Sequence, residues 1–385
     1  MQTSKERILT THVGSLPRAP ALRDLLIQRE HDPAAPVDGL EAAAEAAVAG
    51  VVDKQLEVGV DVGNNGEQPR VGFSTYVATR MEGFGGQSPR PTNLDIQTFP
   101  DYGEIMRERR RHASMIDATP QLLDAVRYID LSEAAAECEQ FLRLSDAHSA
   151  SFTERFMTAA SPGIISTTMM DGFYGDHETY LAALADAMRS EYELIHEQGL
   201  LLQLDCPDLA MERGRFFQDA SLEEFLDFVT LHVGAINEAV RNIAPEQIRL
   251  HVCWGNTDGP HIHDVPLEAI LPRLYDAHVG ALSIELANPR HQHEYKVFRD
   301  HPLPNGMLLL PGVIDTTVNY VEHPEVVADR ICQVAEAIGD PKRVIASTDC
   351  GFGTFAGSEA VAASVVWYKL RTLTEGAALA SERLW

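Results

Sequence analysis

Short apolar runs recur along the chain at 8–13, 60–64, 163–167, 200–205, 248–253, 281–286, 308–314 and 344–348. Their near-continuous apolar character suits strands buried on both faces, as in a parallel sheet. Between them lie segments with helical spacing of apolar positions, at 40–56, 177–197, 222–243, 267–278 and 324–338. The alternation predicts βα units. Eight such units predict an α/β fold, a single (β/α)8 TIM-type barrel spanning 1–385. A doubly wound sheet is the alternative, but it would want a G-x-G-x-x-G turn after the first strand, and none is there.

One stretch, approximately 68–155, is too long for a minimal connection and reads as an insertion between barrel strands 2 and 3. It holds Gly83-Phe84-Gly85-Gly86, several prolines and the cluster Arg107-Glu108-Arg109-Arg110-Arg111, which reads as a solvated helix face. A small extra strand is expected around 125–129. A long loop on the C-terminal face of a barrel shapes the substrate site or a subunit contact.

Composition narrows the function classes. With 385 residues, 45% of them hydrophobic, the chain has ample material for a core. Its net charge of −26 counts against nucleic acid and anionic lipid, because phosphate contacts need a basic face. The first residues carry no apolar leader, and no run reaches about 18 apolar residues, so a cytoplasmic protein without a membrane partner is expected. A homo-oligomer is allowed. The five cysteines are scattered and odd in number, which argues for core thiols or metal ligands rather than a disulfide frame.

In such a barrel the site sits at the C-terminal strand ends. The runs end in or near Ser15, Glu67, Thr167–Thr168, Asp205, His251 with Cys253, Glu285, Asp315, and Asp349 with Cys350. His251 and Cys253 are two residues apart on one strand, so their side chains leave the same face. Imidazole and thiolate together favour zinc over a hard cation. Cys350 and Glu285 can reach the same mouth, and two cysteines, a histidine and a carboxylate make a tetrahedral set for one Zn2+ per chain. Ligands gathered singly from different strands fit a catalytic metal, with Glu285 the donor that gives way to substrate sulfur. Cys138, Cys206 and Cys332 read as buried thiols. His261 and His263, with Asp264, read either as a second shell or proton relay, alongside Asp315 and Asp349, or as an exposed loop pair. His12 is placed on the pocket wall, and Arg290 is a candidate for an anionic group.

These residues carry a resemblance. Thr10-Thr11-His12-Val13-Gly14-Ser15-Leu16-Pro17-Arg18, Gly66-Glu67, Leu202-Gln203-Leu204-Asp205-x-Pro207, His251-x-Cys253, Glu285 and Asp349-Cys350-Gly351 resemble the catalytic half of cobalamin-independent methionine synthase, in order and over nearly the whole chain. The resemblance implies a zinc-dependent S-alkyltransferase with no cobalamin in this chain. It implies that His251, Cys253, Glu285 and Cys350 hold zinc. It also implies that Ser15, Glu67 and Asp205 bind the amino and carboxylate groups of the acceptor thiol if that thiol is homocysteine. The phrases His251-Val252-Cys253-Trp254-Gly255-Asn256 and Cys350-Gly351-Phe352-Gly353-Thr354-Phe355 are more similar to the short single-barrel branch, which includes epoxyalkane:coenzyme M transferase (2-hydroxypropyl-coenzyme M lyase) and the core methionine synthases.

The departures count against folate as methyl donor. Thr317 stands where methionine synthases carry a histidine implicated in proton donation. The stretch Ser166-Thr167-Thr168-Met169-Met170 replaces an aromatic-rich one. The expected partners are therefore a small-molecule thiol and an alkyl donor. Two other classes compete: a zinc-free lyase resembling uroporphyrinogen decarboxylase on the same barrel, and a non-catalytic thiol- or zinc-binding protein.

Overall fold

The computed structural model describes residues 1–32, 35–109 and 119–385. Eight parallel strands form one sheet in the order β1-β10-β9-β8-β7-β6-β5-β2. They are β1 (Leu9–Thr10), β2 (Val62–Gly63), β5 (Glu154–Ala160), β6 (Leu201–Asp205), β7 (Ile248–Val252), β8 (Ala281–Ile284), β9 (Leu308–Ile314) and β10 (Ile345–Thr348). A parallel bridge between Thr11 and Val62 joins the two ends of this order, so the sheet closes into the expected barrel. Two further strands, β3 (Met81–Gly85) and β4 (Gln121–Tyr128), pair antiparallel outside it. Among the described residues no helix is long and apolar enough to cross a membrane.

Seven of the eight predicted runs are barrel strands; the third is not. Residues 163–167 belong to the helix Pro162–Thr168, which starts at Ser161, whose side chain accepts the Ile164 N–H. The third barrel strand is β5, just upstream. Its first residues, Glu154 and Arg155, are polar and half-exposed, and only from Phe156 onward is it buried. A short apolar run is ambiguous between a buried helix and a strand by pattern alone. The helices at 177–197 and 324–338 match prediction at both ends.

The extra strand expected near 125–129 exists as β4, which starts earlier, and its partner β3 contains the Gly83–Gly85 segment. Of the arginine cluster, Arg107 and Arg109 end the helix Pro100–Arg109, while Arg110 and Arg111 lie outside the described residues.

The barrel interior is more polar than its outside. Along β7, Arg249 donates to the Thr11 hydroxyl and the His12 carbonyl inside the barrel, both at 3.0 Å, and its guanidinium lies 4.0 Å from the Phe156 ring centre. Side chains two apart share a face, so Arg249, His251 and Cys253 climb one interior wall. Ile248, Leu250 and Val252 join the surrounding apolar core. This alternation sets a charged group low in the barrel and the soft donors at its mouth.

Candidate active site

At the strand ends, one ligand atom from each of His251, Cys253 and Cys350 falls within 4.8 Å of the other two, and all three residues are buried. Burial and the nearby Arg249 cation hold the His251 imidazole neutral, with its pKa pushed down to about 3. Neither of its ring nitrogens makes a hydrogen bond of ordinary geometry, although the Ser283 backbone lies close enough to oppose that fall in pKa. A buried polar atom left unpaired costs about 1–3 kcal/mol, so an imidazole with a nitrogen within reach of two thiols marks a group that something else completes. The donor set fits a soft divalent ion such as zinc. Cys253 and Cys350 also hydrogen-bond to each other, and that bond with burial raises the Cys253 thiol well above its usual range.

Glu285 stands beside this trio rather than in it. Its carboxylate is buried, accepts from Asn288 Nδ2 at 3.3 Å, and is pushed well up by burial and by Cys253. Asp349 fixes the adjoining loop. Its carboxylate takes the backbone N–H groups of Leu286 and Ala287 on Oδ1, at 2.9 and 2.8 Å, and that of Asn288 on Oδ2 at 2.8 Å. Burial and the Asp315 charge lift Asp349 to about 7. The segment bearing Cys350 is thereby tied to the segment bearing Glu285. Gly312 on β9 makes room for this, since a Cβ there would fall 2.2 Å from Asp349 Oδ1.

A cavity of about 640 Å³ opens over the trio and is lined by Ser15, Glu67 and Asp205 as well as by His251, Cys253 and Cys350. Ser15 Oγ accepts the Gly353 N–H at 3.3 Å. A Cβ on Gly351 would meet Ser15 Oγ at 2.0 Å, so glycine is required beside Cys350. Glu67 has φ 55°, unusual for a non-glycine residue and a form of strain that gathers at functional sites. Its Oε1 accepts from Thr158 Oγ1 at 3.0 Å, while Oε2 is buried without a partner. Asp205 accepts from Gln203 Nε2 at 2.8 Å. Burial raises both acids, and Glu67 pushes Asp205 further, well above the ordinary carboxylate range. Arg70 and Arg18 oppose the rise at Glu67, so of the two acids Asp205 is the one its neighbour pushes toward the protonated form.

Other sequence candidates lie elsewhere. His12 does not line the cavity; its Nε2 pairs with Gln55 Oε1 at 2.8 Å, and burial lowers it to about 4. Asp315 Oδ1 accepts from the N–H and hydroxyl of Thr317, both at 2.8 Å. His261 joins Asp264 and His291 in a second cluster. His263 leaves the site altogether and bonds Thr98 of the insertion at 3.0 Å. Thr167 and Thr168 are helical, and only Thr168 lines the cavity. Cys138 and Cys206 are buried; Cys332 is half-buried, contrary to expectation.

Sequence reasoning missed Thr158, Gln203 and Asn256. Asn256 donates to the Gly351 carbonyl at 2.7 Å and to Thr354 Oγ1 at 2.8 Å, and accepts from Thr316 Oγ1 at 2.9 Å. It thus laces together the loops after β7, β9 and β10. Its place at the end of the phrase His251–Asn256 was the signal available, but no role attached to it.

Fold and site together define a closed barrel with a cluster of soft donor atoms and a cavity at its C-terminal mouth. The chain belongs to the cobalamin-independent synthase catalytic-domain family, whose model matches residues 159–367. It is 23% identical to a methionine synthase of Saccharolobus islandicus over 97% of this chain and 95% of that protein. It is 28% identical to the 2-hydroxypropyl-CoM lyase of Xanthobacter autotrophicus over 161 residues, 35% of this chain and 40% of the lyase. Less than half of that relative is therefore spanned. The B12-independent methionine synthase of a Shewanella species, solved with selenomethionine, shares the fold at a TM-score of 0.71 and 18% identity, over 98% of this chain and 99% of that one.

Proposed function

We propose that this chain is a zinc enzyme that holds a substrate thiol as thiolate and transfers an alkyl group to its sulfur. The observation that carries the reading is the unpartnered imidazole of His251 among two thiols on the floor of the cavity. His251, Cys253 and Cys350 would hold the ion, with Glu285 the fourth donor that substrate sulfur replaces. Zinc, when bound, would keep a thiol ionised near neutral pH.

The chain's own residues supply the rest. Glu67 and Asp205 form a buried acidic pair suited to an ammonium group, with Ser15 beside them for a carboxylate. An amino-acid thiol such as homocysteine satisfies that pair; coenzyme M has no cation to offer. In the transfer, a bond forms between the thiolate sulfur and the donor's alkyl carbon while the carbon's bond to its leaving group breaks, and the leaving group takes up the electron pair and a proton. Holding both reactants in one enclosed cavity removes much of the entropic barrier.

Zinc-edge spectroscopy of the purified protein with homocysteine, coenzyme M and glutathione tests this. Homocysteine is expected to add a zinc–sulfur bond and the other two are not. A new bond with coenzyme M alone moves the reading to the lyase-like chemistry, and protein that takes up no zinc overturns it.

A further inference from the structure

The outer wall of the cavity has the opposite charge from its floor. In a chain with 57 acidic and 31 basic residues, the only carboxylates lining the cavity among the described residues are Glu67 and Asp205, both buried. Toward solvent the lining contains three arginines, Arg90, Arg107 and Arg215. Arg90 and Arg215 lean on one carboxylate between them: Arg90 Nη2 donates to Glu212, and Arg215 Nε lies 3.9 Å from its other oxygen. Arg107 sits on the helix Pro100–Arg109, exposed, with Nε donating to the Gly103 carbonyl at 3.2 Å. Among the described residues its guanidinium has no acidic partner. The lining mixes apolar side chains, Ile96, Met106, Met211 and Phe355 among them, with uncharged polar ones.

This rim belongs to the insertion and to the segment after β6. Arg90 and Arg107 lie outside the residues that match the family. We infer that the arginine wall is the anion subsite for the second substrate. The alkyl donor is an organic molecule with an apolar body and a carboxylate, sulfonate or phosphoryl group, and Arg107 binds that group. The inference rests on the proposed function in one respect: the thiol takes the acidic floor, so the remaining volume falls to the donor. Planar guanidinium groups bind such anions through paired hydrogen bonds, stronger than neutral ones. Arg290, the candidate for an anion in the sequence with a surface position as its alternative, is exposed and does not line the cavity.

The test uses two fluorescent probes of similar shape, anilinonaphthalene sulfonate and uncharged phenylnaphthylamine. Each is titrated into wild type, Arg107→Glu and Arg290→Glu, with and without zinc stripped by a chelator. The sulfonate is expected to bind wild type, to lose roughly tenfold or more in affinity in Arg107→Glu, and to bind Arg290→Glu unchanged. The uncharged probe should bind all three alike. Arg107 is exposed, so the variant should fold, and a melting curve checks that it does. If the sulfonate does not bind wild type, or binds Arg107→Glu as well as wild type, or weakens equally in Arg290→Glu, the subsite is wrong. Because the titration reads the same in zinc-stripped protein, loss of the zinc reading leaves this result standing, and the reverse also holds.

Discussion

Two histidine clusters follow the same strand, and they differ in one physical respect. In the first, neither ring nitrogen of His251 makes a hydrogen bond of ordinary geometry, and one lies within reach of two thiols. In the second, every histidine ring nitrogen has a partner. His261 Nδ1 and His291 Nε2 both meet Asp264 Oδ2, at 2.8 and 3.0 Å, and His291 Nδ1 meets Glu294 Oε2 at 2.7 Å. The His291 ring stacks on Trp254 with centres 3.8 Å apart. Both clusters contain the residue types that bind metals. Only the first leaves its donors unsatisfied, and unsatisfied buried donors persist where a ligand completes them. The second is finished as it stands. It braces the loop after β8 against the residue that follows Cys253.

The largest effect that could break this contrast is on metal binding. Cys350→Ala would remove one of the proposed donors; structural zinc sites bind with on the order of 10–16 kcal/mol, and the expected loss is roughly 3 kcal/mol, over 100-fold in zinc affinity. His261→Ala in the second cluster should keep one zinc per chain. Competition against a chelating indicator measures both. Equal losses would mean that the two clusters do not differ as their hydrogen bonds say.

How far the sequence reached follows the same logic. His251 and Cys253 were legible because a spacing of two on a strand puts them on one face. Cys350 was legible because it ends the last apolar run. The barrel was legible because seven of its strands are apolar enough to stand out, while β5 hides its start behind Glu154 and Arg155. What could not be read is which atoms remain bare. His12, His251 and His261 are equal as letters, and only tertiary contacts show that Gln55 satisfies one nitrogen of His12 and Asp264 one of His261. The arginine rim was hidden for a related reason. Arg90 comes from an irregular segment, where no periodicity says which side chains face inward, and Arg107 sits in a charged helix end that reads as a solvated face.

A second effect, smaller, should appear in the pH dependence of stability. Burial pulls the His291 pKa down, but the hydrogen bonds and charges of Asp264 and Glu294 outweigh it and hold the group at about 9. An ordinary histidine titrates near 6.5. The folded state therefore keeps a proton that the unfolded chain releases. The contribution is complete below pH 6.5, shrinks between about 6.5 and 9, and is gone above. Its full size is on the order of 3 kcal/mol. Denaturant midpoints of wild type and His291→Gln should differ most at pH 6 and converge by about pH 10. Parallel curves would show that the proton on His291 is not what holds the second cluster together.

The smallest effect is expected at His263, two residues from His261 in the same loop. Its ring nitrogen reaches Thr98 Oγ1 at 3.0 Å and lies 3.9 Å from Asp95, both in the insertion, and about a third of its side chain is exposed. A half-exposed hydrogen bond of this kind contributes about 1 kcal/mol or less. His263→Ala should therefore lower the melting temperature by about 2 °C or less. It should leave zinc affinity and the pH profile of stability where they were. The variant separates depth from identity: three histidines, at 251, 261 and 263, differ in what surrounds them rather than in chemistry. If His263→Ala disturbs zinc as much as Cys350→Ala does, the insertion is coupled to the thiol cluster through this loop, and the separation between a completed scaffold and an open site no longer holds.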